Sequence, residues 1–528
     1  MSPWRGSGRK VRIGGRPRVQ QRYNPQLVAK GACRSLTGLI AGGLALGVMS
    51  GCVPPESEPS RPLERAVWIG RVAWTASREE EQALRAIGPQ RIFFTVGDLD
   101  LEGDRVRWHT GPVFPPSLPQ GEGILVIGST ARVVENFNRV PEASLAESMA
   151  TLLREAMDRA KKAGISCSGV HLDIPVREAL ERYERVLERL RARLPRPVTL
   201  SATIPVAWAS ERALAGLVRR LDFYLLRLVS EENPADLASL RPSVDAREMG
   251  SWIRRFESLG VPFSVEGRAQ GRCFLLDSVG KVTASLREVA PLRLIRRLGF
   301  RLVESYPLGF TEVRMRVPTD FAGEYVVVLT ARATSRLGDH ALRPGDRIAC
   351  RLPTARALRR QLEAIEAQAS FLRRGYVLWY SGAADDELSL PLAQMARLVR
   401  GGVLEPKLSV RGEIVGSLLK VRVENVGLQE SALLSRAVQV RLRVEGADVL
   451  GIDPGDFLGF VREPLSEHEG VSLTFHADGI GRGETLRAAL RIAPRGSKIR
   501  VLASYRVRDP DDFVVMSGPE VEVLTTSR

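Results

Sequence analysis

The chain has 528 residues and a formal net charge of +16 at pH 7. Its first 35 residues contain nine Lys and Arg and no acid; without them, 68 basic residues stand against 61 acidic ones, a net charge of +7. The remaining charges alternate in sign along predicted helices, which is typical of solvated faces and argues against a nucleic-acid partner. The length predicts two or three domains.

An apolar run from Leu36 to Met49, "LTGLIAGGLALGVM", follows the basic leader. It is shorter than the ~20 residues that a membrane-spanning helix needs, so it is predicted to be the core of a signal peptide. Ser50 and Gly51 directly before Cys52 resemble the bacterial lipoprotein cleavage box. That resemblance implies acylation of Cys52.

Residues 1–52 are therefore predicted to be a lipoprotein signal peptide, and an uncleaved N-terminal anchor is the alternative. Residues 53–64 contain proline every few positions and predict an extended tether. With either kind of anchor, the body is expected in the cell envelope. It would be attached to a membrane through its N-terminus, on a periplasmic or cell-surface face.

Residues 65–385 alternate short β-rich runs with amphipathic helical stretches. Eight such runs occur: "AVWIGRVAW", "RIFFTVGDL", "GILVIGST", "GVHLDIP", "VTLSATIP", "FYLLRLVS", "PFSVEGRA" and "GYVLWYSG". This alternation predicts a (β/α)8 TIM-like barrel. The barrel is expected to be irregular, because a hairpin replaces the helix between runs two and three. An insertion of roughly ninety residues, with extra strands, separates runs seven and eight.

Residues 401–528 lose the helical pattern. Their segments alternate polar and apolar residues with a period of two, and turn signals separate them. This pattern predicts an immunoglobulin-like β-sandwich at the C-terminus.

The cysteines and histidines predict no metal site. Cys167, Cys273 and Cys350 are far apart, odd in number and without C-x-x-C spacing, so they are expected to be small buried hydrophobes rather than a disulfide framework. The five histidines are scattered, and phosphate-binding and nucleophile-elbow motifs are missing from the sequence. No cofactor is predicted.

The ends of the predicted strands provide candidate site residues, because barrel active sites form at the C-terminal ends of the strands. Asp173 on the fourth strand and Glu266 on the seventh are the catalytic candidates, a placement that resembles many retaining glycosidases. Aromatic rings beside paired carboxylates suit a sugar. The substrate-binding candidates are Trp74, Asp98, His171, Trp208, Arg268, Trp379 and Tyr380.

The stretch "SGVHLDIP" argues against one familiar chemistry. It resembles the strand-four signature of chitinases, D-G-x-D-x-D-x-E, but Ser168, His171 and Pro175 replace two aspartates and the acidic glutamate. Gly169 and Asp173 match. Proline has no proton to donate, so chitinase-type catalysis is not expected.

Both catalytic candidates have structural alternatives. Asp173 could cap the following helix through backbone amides. Glu266 could form an ion pair with Arg268, two positions further on. The acids of "DLDLEGD", Asp98 to Asp104, are spaced like the start of a calcium loop, but His109 stands where such a loop needs glutamate. A hairpin turning at Gly103 and Asp104 is the favoured interpretation.

Three longer stretches, "VWIGRVAW", "GVHLDIPVREALERYERVLERLRARLP" with "VTLSATIPVAWAS", and "RLPTARALRRQLEAIEAQASFLRRGYVLWYSG", resemble an uncharacterised bacterial domain family with a glycoside-hydrolase-like barrel. The resemblance covers residues 65–385 and implies no established catalytic residues. The leading hypothesis is a lipid-anchored envelope protein whose barrel binds, or binds and hydrolyses, a polysaccharide. The alternative is a non-catalytic scaffold that docks protein partners. An enzyme should have Asp173 and Glu266 facing one cleft ~5–10 Å apart. In a scaffold these carboxylates should be capped or paired, with the barrel mouth plugged by the insertion after strand seven.

Overall fold

The computed structural model describes residues 63–118, 121–229, 233–286, 289–297, 299–308, 323–368, 370–383, 386–465, 470–496 and 498–527. The predicted signal peptide, the proposed lipidation site Cys52 and nearly all of the predicted tether lie outside the described residues. None of the helices in the described part of the chain combines the length and the apolar character that crossing a bilayer requires.

The first sixteen strands form the barrel and its insertion. In chain order they are β1 (Glu64–Ile69), β2 (Arg91–Glu102), β3 (Arg105–Thr110), β4 (Glu122–Ser129), β5 (Cys167–Leu172), β6 (Thr199–Pro205), β7 (Phe223–Arg227), β8 (Phe263–Gly267), β9 (Arg272–Leu276), β10 (Val282–Leu286), β11 (Phe300–Pro307), β12 (Glu324–Ala331), β13 (Ser335–Leu337), β14 (His340–Leu342), β15 (Arg347–Pro353) and β16 (Arg373–Tyr380).

Eight of these strands close into a parallel barrel. They pair in the order β1-β16-β8-β7-β6-β5-β4-β2, and β1 also pairs with β2, which completes the ring. The eight strands are the eight β-rich runs of the sequence, so the predicted barrel is confirmed. Strand β3 continues the sheet beyond β2 as the antiparallel arm of a hairpin.

The helices pack outside the barrel or in its connections. They are α1 (Arg78–Ile87), α2 (Ala131–Asn136), α3 (Glu142–Lys162), α4 (Leu180–Arg191), α5 (Leu214–Val218), α6 (Ala246–Glu257), α7 (Pro291–Arg296), α8 (Ala355–Glu366) and α9 (Leu392–Val399). Helix α1 begins at a capping box in which Ser77 and Glu80 each bond the other's backbone N–H. Helix α4 buries Leu180, Tyr183 and Leu187 on one stripe, as its periodicity predicts.

The segment between β2 and β4 confirms the predicted hairpin. Strands β2 and β3 are joined by Gly103 and Asp104, and Gly103 has a φ of +59°, a left-handed conformation that glycine adopts without strain. The acids of "DLDLEGD" therefore belong to a turn and its flanking strands rather than to a calcium loop.

The insertion forms a separate antiparallel sheet of order β10-β9-β15-β12-β11, with a small hairpin of β13 and β14. Cys273 on β9 lies directly opposite Cys350 on β15, and the two form a disulfide. The expectation of three unpaired cysteines was therefore wrong. Spacing along the chain could not reveal this pair, because the two residues are 77 positions apart and meet only when β9 and β15 become neighbours. Cys167 is free, and burial raises the pKa of its thiol to about 12.

The C-terminal region is a β-sandwich, as predicted. Its strands are β17 (Leu408–Val415), β18 (Leu418–Asn425), β19 (Val438–Glu445), β20 (Ala447–Asp453), β21 (Gly459–Pro464), β22 (Gly470–Ala477), β23 (Thr485–Pro494), β24 (Lys498–Arg508) and β25 (Val515–Ser527). They form one sheet of order β17-β18-β23-β20 and another of order β21-β22-β19-β24-β25. Alternate residues of both sheets, such as Val421 and Leu442, fill one common core.

Helix α7 of the insertion connects the three parts. Its backbone N–H at Leu292 donates to Glu387 in the loop after β16, at 2.6 Å. At its other end Arg296 donates to Glu484 of the sandwich, at 2.9 Å. The insertion is thus held against both the barrel mouth and the C-terminal domain.

Candidate functional site

The barrel interior is apolar at its centre and polar towards the C-terminal ends of the strands. Alternate residues of each strand face inwards. The apolar layer consists of Ala66, Trp68, Phe93, Ile124, Val126, Phe223, Leu225 and Val377. Towards the strand ends lie His171 near the end of β5, Asp173 directly after β5, Arg227 at the end of β7 and Glu266 on β8.

One guanidinium holds both catalytic candidates. Arg227 donates through Nε to Glu266 Oε2 at 2.7 Å, and through Nη1 and Nη2 to the two oxygens of Asp173 at 3.2 Å each. The side chain of Arg227 is 7% exposed and that of Glu266 is fully buried. The structure therefore brings Asp173 and Glu266 together, but around a shared cation inside the barrel rather than across an open cleft.

The same network sets the charge of Asp173. Burial by itself would raise the pKa of this carboxyl, but the Arg227 charge, together with hydrogen bonds from Arg227 and Thr203, holds it below its ordinary value. Asp173 is consequently ionised and engaged in a bidentate pair, so it has no proton to donate. It is not a helix cap, since the short 3-10 turn that follows (Arg177–Ala179) has Val176 at its N-cap and no side-chain capping bond.

Glu266 is paired on both sides. Besides the bond from Arg227, Arg268 Nη1 lies 3.4 Å from Glu266 Oε1. The predicted pair between Glu266 and Arg268 is therefore present. Arg268 also stacks on the ring of Trp379, with its guanidinium carbon 4.0 Å from the ring centroid, a favourable cation–π distance.

His171 is enclosed. Its ring nitrogens lie 2.9 Å from Ser201 Oγ and 2.8 Å from Thr203 Oγ1, and its ring edge packs against Trp68 and Phe93. Burial lowers the pKa of His171 to about 3, so the imidazole is neutral at physiological pH. The prediction that His171 binds substrate is wrong, because its ring is fully buried and cannot contact a ligand.

Ser201 and Thr203 are functional neighbours that sequence reasoning missed. They are alternate residues of "VTLSATIP", and the residues between and beside them, Leu200, Ala202 and Ile204, are buried and apolar. Polar residues with a period of two inside a barrel strand indicate inward-facing hydroxyls. That signal could have identified them as partners for His171.

Three of the four aromatic candidates lie in the core outside the barrel rather than at its mouth. Trp74 Nε1 and the Tyr380 hydroxyl both donate to Glu80 Oε1 of α1, at 3.3 and 2.5 Å. Trp208 is likewise buried in the helix-packed core. Tyr380 is one position out of phase with Trp379, so it faces the helices and not the interior. Trp379, packed against the interior layer and half-buried, is the aromatic candidate beside Arg268.

Asp98, at the end of the parallel part of β2, differs from Asp173 and Glu266 because no arginine pairs with it within the described part of the chain. Its side chain packs against Gly128, where a Cβ would come within 2.1 Å of Asp98 Oδ1. Burial, and the nearby charge of Asp173, raise the pKa of Asp98 despite the opposing influence of His109. Within the described part of the chain the side chain has no hydrogen bond or ion pair, so Asp98 retains a proton more readily than an ordinary aspartate.

A cavity of about 910 Å³, here called the barrel-mouth cavity, lies over the C-terminal ends of four neighbouring strands, β1, β16, β8 and β7. From these ends come Arg71, Val229, Arg268, Gln270 and Ser381. The insertion supplies the facing wall, with Arg272, Ser285, Leu286, Val289 and Arg351. The insertion thus covers part of the mouth without plugging it.

Arg268 connects this cavity to the buried network, since it lines the cavity and contacts Glu266. Among the described residues, no group of three or more His, Cys, Asp and Glu side chains is arranged to hold a metal ion.

No family model and no curated protein sequence matches the chain. Solved structures with a similar fold include the spore cortex-lytic enzyme SleL of Bacillus cereus, 14% identical over 65% of this chain and 74% of that one, with a TM-score of 0.40. A chitinase from Chromobacterium violaceum is also 14% identical, over 65% of this chain and all of the other, with a TM-score of 0.38. A class V chitinase from Pseudomonas fluorescens is 11% identical over 64% and 99%, with a TM-score of 0.37. Similarities of this size assign no family to the chain and no role to any residue of the site.

Proposed function

We propose that this is a lipid-anchored cell-envelope protein whose barrel binds a polysaccharide in the barrel-mouth cavity. The observation that carries the proposal is the cavity itself, about 910 Å³ over the strand ends, where polar side chains converge beside apolar ones. That volume lies in the range of ordinary ligand pockets. Gln270, Ser285 and Ser381 offer hydrogen-bonding groups to hydroxyls, and Val229 and Leu286 offer apolar contacts to the faces of sugar rings.

We expect the barrel to bind a glycan without hydrolysis by Asp173 and Glu266, because both carboxylates are paired with arginines. A glycosidase needs one carboxyl that carries a proton and a second that is open to the sugar or to water. Asp173 has a lowered pKa and a bidentate partner, and Glu266 is fully buried between two arginines. Asp173 has no proton to donate and Glu266 is not open to a sugar, so together they do not form such a pair.

Hydrolysis with Asp98 as the proton donor is a second candidate function. Asp98 lies at the end of the parallel part of β2, a position where barrel enzymes place catalytic groups, and burial raises its pKa so that it keeps a proton more readily than an ordinary aspartate. Asp98→Asn removes the acid while keeping the side-chain volume. Turnover by the parent protein that disappears in Asp98→Asn would favour this candidate over binding alone.

A glycan array on the detergent-solubilised full-length protein, combined with a hydrolysis screen of every glycan that binds, tests the main proposal. We expect binding without turnover. Ala383→Trp, which places an indole among the lining residues, should weaken binding at least tenfold, and Ala367→Trp on the exposed end of α8 is the matched control. A protein that binds no glycan on the array, or that binds equally well after Ala383→Trp, would favour the scaffold alternative.

The lipid anchor is proposed from Cys52 and the sequence before it. The Cys273–Cys350 disulfide supports export, since such bonds persist in oxidising compartments and are rare in the cytosol. We expect globomycin, an inhibitor of lipoprotein signal peptidase, to block processing, and Cys52→Ala to abolish membrane retention. Cys33→Ala in the leader is the control and should be processed normally. Normal cleavage and retention of Cys52→Ala would contradict the anchor.

A further inference from the structure

The barrel-mouth cavity is rich in arginine. Its described lining includes two acidic residues, Asp386 and Glu387, and five arginines, which are Arg71, Arg268, Arg272, Arg293 and Arg351. These arginines come from both walls: Arg71 and Arg268 follow barrel strands, and the other three belong to the insertion. A ligand between the walls would meet guanidinium groups from opposite sides.

The two acids are engaged with the loop that carries them or with α7. Asp386 accepts from the Leu388 N–H and from the Ser389 hydroxyl, both at 2.9 Å. Glu387 accepts from the Leu292 N–H at the start of α7 at 2.6 Å, and burial raises the pKa of its carboxyl to about 7. Glu387 Oε1 also lies 3.6 Å from Arg293 Nε, so one of the five arginines already has an acidic partner in the cavity. With its raised pKa, Glu387 carries only part of a negative charge at neutral pH.

Several of the arginines are held in position by contacts within the protein. Arg268 stacks on Trp379. Arg272 Nε donates to Ser285 Oγ at 2.8 Å. Arg351 is almost fully buried, with Nη1 donating to the Arg241 carbonyl at 3.0 Å and Nε 3.4 Å from Glu324. Guanidinium groups that are ordered before a ligand arrives lose less side-chain entropy on binding.

We infer that the polysaccharide bound in this cavity is acidic, carrying carboxylate groups or sulfate or phosphate esters. This inference rests on the proposed polysaccharide-binding function and names its ligand class. The planar guanidinium matches the geometry of these anions through paired N–H donors. A neutral glycan would remove water from the cationic walls without replacing it by a negative charge, which is unfavourable.

The test compares ligands of equal length by isothermal titration calorimetry on the full-length protein. Oligogalacturonides carry carboxylates, sulfated maltooligosaccharides carry sulfate esters, and unmodified maltooligosaccharides are neutral. We expect at least one acidic series to bind ten times more tightly than the neutral one, and to weaken as salt increases because screening reduces charge attraction. The two acidic series distinguish carboxylate recognition from ester recognition.

The matched variants change two exposed arginines at a time. Arg71 is exposed and the Arg293 side chain is 58% exposed, so Arg71→Gln with Arg293→Gln should leave the fold intact. We expect this pair to weaken acidic ligands at least tenfold, equivalent to about 1.4 kcal/mol, and to weaken acidic ligands more than neutral ones. Arg85→Gln with Arg500→Gln removes the same charge at exposed positions 57% and 46% open to solvent and should have no effect.

The outcomes separate this inference from the proposed function. If neutral and acidic glycans bound with equal affinity, and the Arg71 and Arg293 variant kept the affinity for acidic glycans, the inference of an acidic ligand would be wrong. The proposed binding of a polysaccharide would be unaffected. Failure to bind any glycan, acidic or neutral, would overturn both.

Discussion

Replacing Arg227 with methionine is expected to lower the free energy of unfolding of the barrel by about 3–5 kcal/mol, the usual cost of removing one partner from a buried ion pair. The reason is that Asp173 and Glu266 would remain inside the barrel without the guanidinium that bonds both of them. Tryptophan fluorescence during urea unfolding measures this directly. Outside the leader, the tryptophans are Trp68, Trp74, Trp108, Trp208, Trp252 and Trp379, all in barrel segments and none in the insertion or sandwich.

Two further variants make this result specific. Arg220→Met removes an arginine that pairs with Glu184 and Glu188 at the surface, where its side chain is 39% exposed, and should cost less than about 1 kcal/mol. Adding Asp173→Asn and Glu266→Gln to Arg227→Met removes the uncompensated charges and should recover part of the stability. Equal midpoints and slopes for the Arg227 and Arg220 variants would show that the buried carboxylates do not depend on Arg227.

The pairing of Asp173 and Glu266 with Arg227 could not be predicted from the sequence. Arg227 is 54 positions from Asp173 and 39 from Glu266, and each of the three residues lies at or next to the end of a different strand. Their positions at strand ends were predictable, since eight β-rich runs with intervening helices indicate a barrel. Which oxygen faces which nitrogen was not predictable, because it depends on the stagger of β5, β7 and β8 around the closed ring.

The face of the strand on which each aromatic candidate lies could not be predicted from the sequence either. Trp379 and Tyr380 are adjacent in sequence, yet one packs against the barrel interior and the other donates to Glu80 outside it. A strand buried on both faces consists of apolar residues throughout, so hydrophobicity does not reveal the phase of its alternation. In β6 the phase was visible, because Ser201 and Thr203 interrupt an apolar run at every second position.

The insertion was predictable as extra strands, but its role was not. The extra strands predicted in the insertion are present, among them β12 in "GEYVVVLTARA" and β15 in "LRPGDRIACRLP". Their sheet supplies one wall of the barrel-mouth cavity, with Arg272 and Arg351 directly opposite each other on β9 and β15. Such an assembly depends on pairing between segments some eighty residues apart, for which one sequence contains no signal.

Replacing Cys273 and Cys350 together with alanine is expected to destabilise the insertion sheet by about 4–5 kcal/mol. The bond joins residues 77 positions apart, and in the chain-entropy model a loop of that length removes this much free energy from the unfolded state. Native-state hydrogen exchange at the amides of β9 and β15 measures the loss locally, because the insertion contains no tryptophan. Cys167→Ala, at the free and half-buried cysteine, is the control and should change these amides by less than about 1 kcal/mol.

The bond itself can be checked without unfolding. Trypsin cleaves after Arg272 and Lys281, and after Arg347 and Arg351, so digestion without reductant should release "CFLLDSVGK" joined to "IACR". Recovery of both peptides singly alkylated from unreduced protein would contradict the disulfide. In that case the two strands that carry Arg272 and Arg351 would be joined by backbone hydrogen bonds alone, and the preorganised wall on which acidic-ligand binding depends would lose its covalent support. If the linked peptide were found only in protein recovered from the envelope, formation of the disulfide in this cavity wall would depend on export.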